Sequence, residues 1–184
     1  MRHGVRFLMA TALVLPLGFI ATAPGAGAAA GTNCGKSAGT ATFTPALPKL
    51  GAGTTVKPKI KVSAAKATAC TGGGVKSAKL SGSQKFHDPT SCDILLGGGP
   101  PGPHPPTGTL TAKWNTGASS TIKVTLNAVS GQATQTHITG TVTAGLFVGL
   151  HADQTISFVP KTGDCVSTDL AAVTFSQVTH LVIS

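Results

Sequence analysis

The sequence contains no glutamate and no tyrosine, and its only arginines, Arg2 and Arg6, stand at the extreme N-terminus. Beyond them every strong base is a lysine, and the acids are five aspartates, Asp88, Asp93, Asp153, Asp164 and Asp169. Each shortage excludes something. Base readout favours arginine and single-strand binding favours stacking aromatics. A chain with one Trp, and no arginine after Arg6, is equipped for neither, so nucleic acid is not an expected partner. Flat aromatic platforms for sugars are missing for the same reason. Glycosidases commonly need two carboxylates flanking one bond, and five scattered aspartates offer no obvious pair. No G-x-S-x-G elbow exposes a serine nucleophile. His87-Asp88 and His151 with Asp153 are fragments of a Ser-His-Asp arrangement that chance supplies readily. There is no EF-hand loop, and no Cys/His set has zinc spacing. His87, His104 and His151 read as unpaired surface histidines. The expectation is a protein that is not an enzyme, with no cofactor and no metal.

The N-terminus has a different character. Arg2 and Arg6 precede an uncharged apolar run, Phe7 to Ile20, and then the small residues Ala21 to Ala30. That order is the three-part pattern of a secretory signal peptide. The run is shorter than the ~20 residues a membrane-spanning helix needs. No later segment is long and apolar enough to cross, so no stable membrane insertion is expected after cleavage. The reading is a signal peptide over 1–30 and a single domain over 31–184, secreted or extracellular and associated with the cell wall. A monomer is expected.

An even number of cysteines in an exported chain reads as two disulfides. The four are Cys34, Cys70, Cys92 and Cys165. Gly51-Ala52-Gly53 is a plausible turn, and pairing symmetrically about Ala52 sets Cys34 opposite Cys70. Cys92 is left for Cys165.

Alternation of apolar and polar residues dominates the chain, which indicates half-buried strands. Leu110, Ala112 and Trp114 share a face, as do Ile122, Val124 and Leu126. Ile138, Val142 and Ala144 form another set. Ile156 with Phe158, and Val173 with Phe175, continue the pattern, and His180 to Ile183 closes the sheet. The first strand covers Thr40 to Thr44, with Phe43 inward. Thr55 to Ser63 alternates Val56, Pro58, Ile60 and Val62 with Lys57, Lys59 and Lys61. Proline cannot donate to a ladder, so this strand is predicted at a sheet edge, with lysines discouraging edge-to-edge pairing. Asn115 to Ala118 and Ser130-Gly131 supply turns. Gly97 to Thr107 is predicted to be an exposed, dispensable Pro/Gly-rich loop. The predicted fold is all-β: one antiparallel β-sandwich of about eight strands, immunoglobulin-like in general form.

Several short motifs recur in one order. They are Thr32-Asn33-Cys34, Ala41-Thr42-Phe43-Thr44-Pro45, Cys70-Thr71-Gly72-Gly73, Ser91-Cys92, Lys113-Trp114-Asn115, Gly140 to Phe147 and Gly163-Asp164-Cys165-Val166. The chain thereby resembles a group of secreted actinobacterial proteins, Thr/Gly-rich and of β-sandwich form, with no established activity. The resemblance implies fold and compartment and carries over no functional residues.

The formal net charge is +9. Lysines in excess keep a small domain soluble. They also attract anionic polymers, and Lys57, Lys59 and Lys61 are the candidate anion-binding residues, with Lys66, Lys76 and Lys79 as extensions. The expected function is a non-enzymatic cell-surface-associated or binding module, with weak affinity for anionic cell-wall polymers. The alternative is a secreted protease inhibitor presenting the 97–107 loop.

Overall fold

The computed structural model describes residues 30–96 and 102–184. The signal-peptide reading therefore lies outside the described residues, apart from Ala30. The elements are β1 (Thr32–Leu47), β2 (Lys59–Thr71), β3 (Ala78–Lys85), α1 (Cys92–Leu96), β4 (Thr107–Trp114), β5 (Ser119–Val129), β6 (Gln132–Gly145), β7 (His151–Thr162), β8 (Leu170–Gln177) and β9 (Leu181–Ile183). Each of β2 to β7 pairs antiparallel with the next in sequence, and β1 pairs with both β2 and β8. The sheet closes on itself as an up-and-down, eight-stranded barrel. β8 and β9 together fill one position: β8 covers β1 from Ala38 to Leu47 and β9 covers Thr32 to Cys34.

This corrects the expected sandwich. Alternation reports that one face of each strand is buried. It does not report whether that face meets a second sheet or the barrel's own opposite wall. The structure shows the second arrangement, and long bulged strands make it possible. The register slips between Ala38 and Thr40 on β1 and between Val62 and Ala65 on β2. Such bulges bend a strand and increase its twist, which closure requires. Glycine at inward position 39 lets β1 pass close to Ala65, where a Cβ would collide.

The predicted edge strand is also corrected. Pro58 precedes β2, is fully buried, and accepts a hydrogen bond from Phe86 N through its carbonyl. β2 is paired on both sides, so it is not an edge. The inward sets on β4, β5, β7 and β8 fall where alternation puts them, except that Ala144 near the end of β6 is exposed.

Both predicted disulfides are present, Cys34–Cys70 and Cys92–Cys165. Cys34 and Cys70 are direct cross-strand partners. The first disulfide lies at one end of the barrel, in the cluster with Val75, Trp114, Phe147 and Ile183. Trp114 Nε1 donates to Ser120 Oγ at 2.8 Å, and Ser120 donates onward to the Leu146 carbonyl. The Phe147 ring meets the indole edge-on, with centroids 5.3 Å apart. This end is filled. The second disulfide lies at the other end and ties α1 to the β7–β8 loop.

That loop is held by Asp164. Its carboxylate accepts from Ser167 Oγ at 2.6 Å and from the backbone N–H groups of Val166, Ser167 and Thr168. The Ser167 hydroxyl first, then these amides, hold its pKa far below the ordinary carboxylate value of 3.8. A depressed folded-state pKa means a contribution that is complete above the unfolded value and is lost as pH falls through the folded one. Amide exchange at 166–168, corrected for intrinsic rates, is therefore expected to stay protected at pH 4 and rise only under much stronger acid. Loss of protection already near pH 4 would contradict this.

Candidate functional site

The two ends of the barrel differ because their inward residues differ. Toward the α1 end the inward positions include Ala41 and Gly108 among larger apolar groups, and side chains do not fill the space. A cavity of about 130 Å³ remains. Its walls are Phe43 on β1, Ile60 on β2, Leu126 on β5, Ile138 on β6 and Phe158 on β7. Leu95 of α1 lies across the mouth, and Ala128, Val129 and Ala133 of the β5–β6 hairpin form its rim. Eight-stranded barrels are just wide enough to be filled by side chains or to hold one small ligand. This barrel does the first at one end and the second at the other.

No titratable side chain lines the cavity among the described residues. Its polar groups are a threonine hydroxyl and amides. Gln84 and Gln154 lie in the wall and are buried, at 4% and 6% exposure. Asn127, Gln132 and Gln135 lie nearer the hairpin, as does the hydroxyl-bearing Thr136. Gln154 donates to Ser37 Oγ, itself buried. Gln84 is the cross-strand partner of Gly108, whose missing side chain leaves it room: a Cβ there would lie 2.5 Å from Gln84 Cα. The Gln84 amide makes no side-chain hydrogen bond to any described residue. The amide thus keeps its hydrogen-bonding capacity for an occupant of the cavity it lines. Gln84 escaped the sequence reading because it stands in a polar stretch, Ser81 to Lys85. Its parity with Ala78, Leu80 and Phe86 is the signal that puts it inside.

The predicted site residues fall elsewhere. The disulfide cysteines Cys34, Cys70, Cys92 and Cys165 are buried. Lys59 and Lys61 are exposed on the outer face of β2, and Lys57 is exposed just before it. Asp88 lies near Lys57. Its carboxyl is held below its ordinary value chiefly by the His104 backbone N–H, with the His104 ring and Lys57 assisting. The Pro/Gly-rich segment behaves in two parts. Residues 97–101 lie outside the described residues. In the rest Pro103 and His104 are exposed, yet the segment is anchored, contrary to a free loop: His104 N donates to Asp88, Pro106 is buried in the cavity wall, and Thr107 opens β4. His87 contacts Thr107 Oγ1 at 2.7 Å, and His137 pairs with Asp153 at 2.8 Å on the outer surface. Among the described residues no three His, Cys, Asp or Glu side chains converge, and no helix is long and apolar enough to cross a membrane. Comparison of the chain with family models, curated proteins and solved structures finds no match.

Proposed function

We propose that the protein is a non-enzymatic binding module that holds one small, uncharged, largely apolar molecule inside its barrel. The observation carrying this is the cavity itself, a mostly apolar wall in which the Gln84 amide makes no side-chain hydrogen bond to a described residue. An apolar pocket with a few convergent polar groups is the usual form of a small-molecule site. A cavity of this order holds a single-ring molecule, since an apolar cavity of ~150 Å³ accepts benzene. Charged ligands are disfavoured, because nothing in the wall offsets the desolvation of an ion. None of the described wall residues is titratable, and with no such group the ordinary means of moving a proton is missing, which favours binding over turnover. Two disulfides are compatible with an extracellular protein, and the resemblance to secreted actinobacterial proteins points to the same compartment. A carrier or scavenger of small neutral molecules outside the cell follows from the two together.

The test uses two probes of one shape, p-cresol and toluene. Calorimetric titration is expected to show saturable one-to-one binding of both, with p-cresol tighter. Ile138→Trp fills the cavity from a half-buried position and is expected to abolish both. Gln84→Leu removes the hydrogen-bonding handle. It should weaken p-cresol by about tenfold, in line with ~1.5 kcal/mol for a hydrogen bond, and leave toluene unchanged. The same substitution is expected to leave the protein's own stability little changed, because the Gln84 amide makes no side-chain hydrogen bond to a described residue that leucine would break. Equal weakening of both probes, or a loss of stability, would overturn the role given to Gln84. No binding of either probe would overturn the site.

A further inference from the structure

The outer surface of the barrel carries a second feature, independent of the cavity. β2 to β5 form adjacent staves, and every lysine in them is exposed. The register sets these lysines beside one another. Lys66 is the direct partner of Lys79, and Lys79 is the direct partner of Lys113, so three ammonium groups cross three strands in one row. Lys59 is the direct partner of Lys85. A further row runs Lys61, Ser83, Thr109, Lys123. A shallow depression on this face is lined by Thr44, Lys59, Lys61, Ser81 and Ser83.

No aspartate lies on β2, β3, β4 or β5. Asp88, Asp93, Asp164 and Asp169 belong to α1 and to loops at the cavity end, and Asp153 belongs to β7. Neither ion pair among the described residues involves a lysine. Like charges placed directly opposite on a sheet are destabilising. Solubility requires net charge but not this adjacency, since lysines distributed around the barrel would serve equally well.

We propose that the outer face of β2 to β5 is a binding surface for a flexible, linear polyanion with one phosphate or carboxylate per repeat unit, of the teichoic type. Neighbouring strands lie ~4.8 Å apart and alternate residues along a strand ~6.5–7 Å apart. The rows thus present positive charges within one Debye length of each other, so a flexible chain of anions meets several of them at once. Lysine suits this partner, because an ammonium is a point charge without a demanded geometry. The serine and threonine hydroxyls between the rows supply further donors. Lys57 stands apart from the face, beside Asp88.

The test is the binding of linear poly(glycerol phosphate) to the intact protein across a salt series. Two variants of equal charge are compared: Lys79→Ser with Lys113→Ser, and Lys49→Ser with Lys161→Ser. The first pair is expected to weaken binding more than tenfold at ~50 mM salt and to flatten the salt dependence. The second should change binding less than threefold. The first pair should also leave the melting temperature unchanged or higher, which separates lost binding from lost folding. Equal effects of the two pairs would reduce the interaction to net charge and overturn the assigned face. Binding that persists at ~1 M salt, where screening acts within ~3 Å, would overturn the electrostatic mechanism. Binding to vesicles containing an anionic lipid, with none to the polymer, would overturn the choice of partner. No binding to the polymer at ~50 mM salt would overturn the proposal outright.

Discussion

Replacing Trp114 with alanine is expected to cost about 3–5 kcal/mol of stability, the range for truncating a large buried aromatic. The indole is 2% exposed and closes the filled end of the barrel. Its loss removes the edge-on contact with Phe147 and the N–H donor to Ser120 Oγ, which keeps only its bond to the Leu146 carbonyl. Phe147 cannot readily slide in as a replacement. It sits in the turn between β6 and β7 at φ 68°, a backbone position that fixes the direction of its ring. At roughly 2–4 °C per kcal/mol for a chain of this size, thermal unfolding by circular dichroism should begin about 10 °C lower. Small-probe binding at the other end should survive below that temperature, because Trp114 does not line the cavity. A loss of stability under about 1 kcal/mol would show that this end is not the packed core described.

Opening the Cys92–Cys165 disulfide by paired substitution to serine is expected to cost about 4 kcal/mol, the loop-closure value for a cross-link of this length. The bond joins residues 73 apart in sequence. Its effect should not be uniform. It connects α1 to the β7–β8 loop beside hydrogen bonds from Leu50 N to the Cys165 carbonyl and from Cys92 N to the Pro48 carbonyl. The helix is then held at this end only by those bonds, by Gly51 N donating to the Asp93 carboxylate and by Leu95 packed against the core. Hydrogen exchange should therefore accelerate first in residues 92–96 and 163–169, ahead of β4 and β5. Uniform acceleration across the barrel would mean that the bond acts only through the unfolded chain. A stability change under about 1 kcal/mol would mean that the loops at this end are held without it.

Local features of this fold were legible and its closure was not. Leu110, Ala112 and Trp114 could be placed inside from alternation alone, because the pleat sends alternate residues to one face. The cysteine pairing followed from register about Ala52. The chain there forms a longer loop than a tight turn, yet Cys34 and Cys70 still face each other. Closure depends on β1 pairing with both β2 and β8, a long-range event that writes nothing distinct into either strand. Pro58 misled because a missing donor matters only within a strand, and Pro58 stands one residue before β2. β3 carries few large apolar residues, with Gly82 and two serines among its eight. Helix α1, at five residues, is too short to show a period. The cavity is a matter of what inward positions lack. Gly108 and Ala41 look like ordinary strand residues until their neighbours across the barrel are known. The lysine rows are likewise a product of register: Lys79 and Lys113 are distant in sequence and adjacent in the sheet.

The most direct measurement of the central claim is a methyl-detected NMR titration of the intact protein with p-cresol. The account predicts saturable shifts confined to inward methyl groups around the cavity, those of Ile60, Leu126, Ile138 and Ile156, with Val148, Val159 and Val166 on the exterior unmoved. Shifts on the exterior valines with the inward methyls silent, or no shift at saturating probe, would contradict an interior binding site.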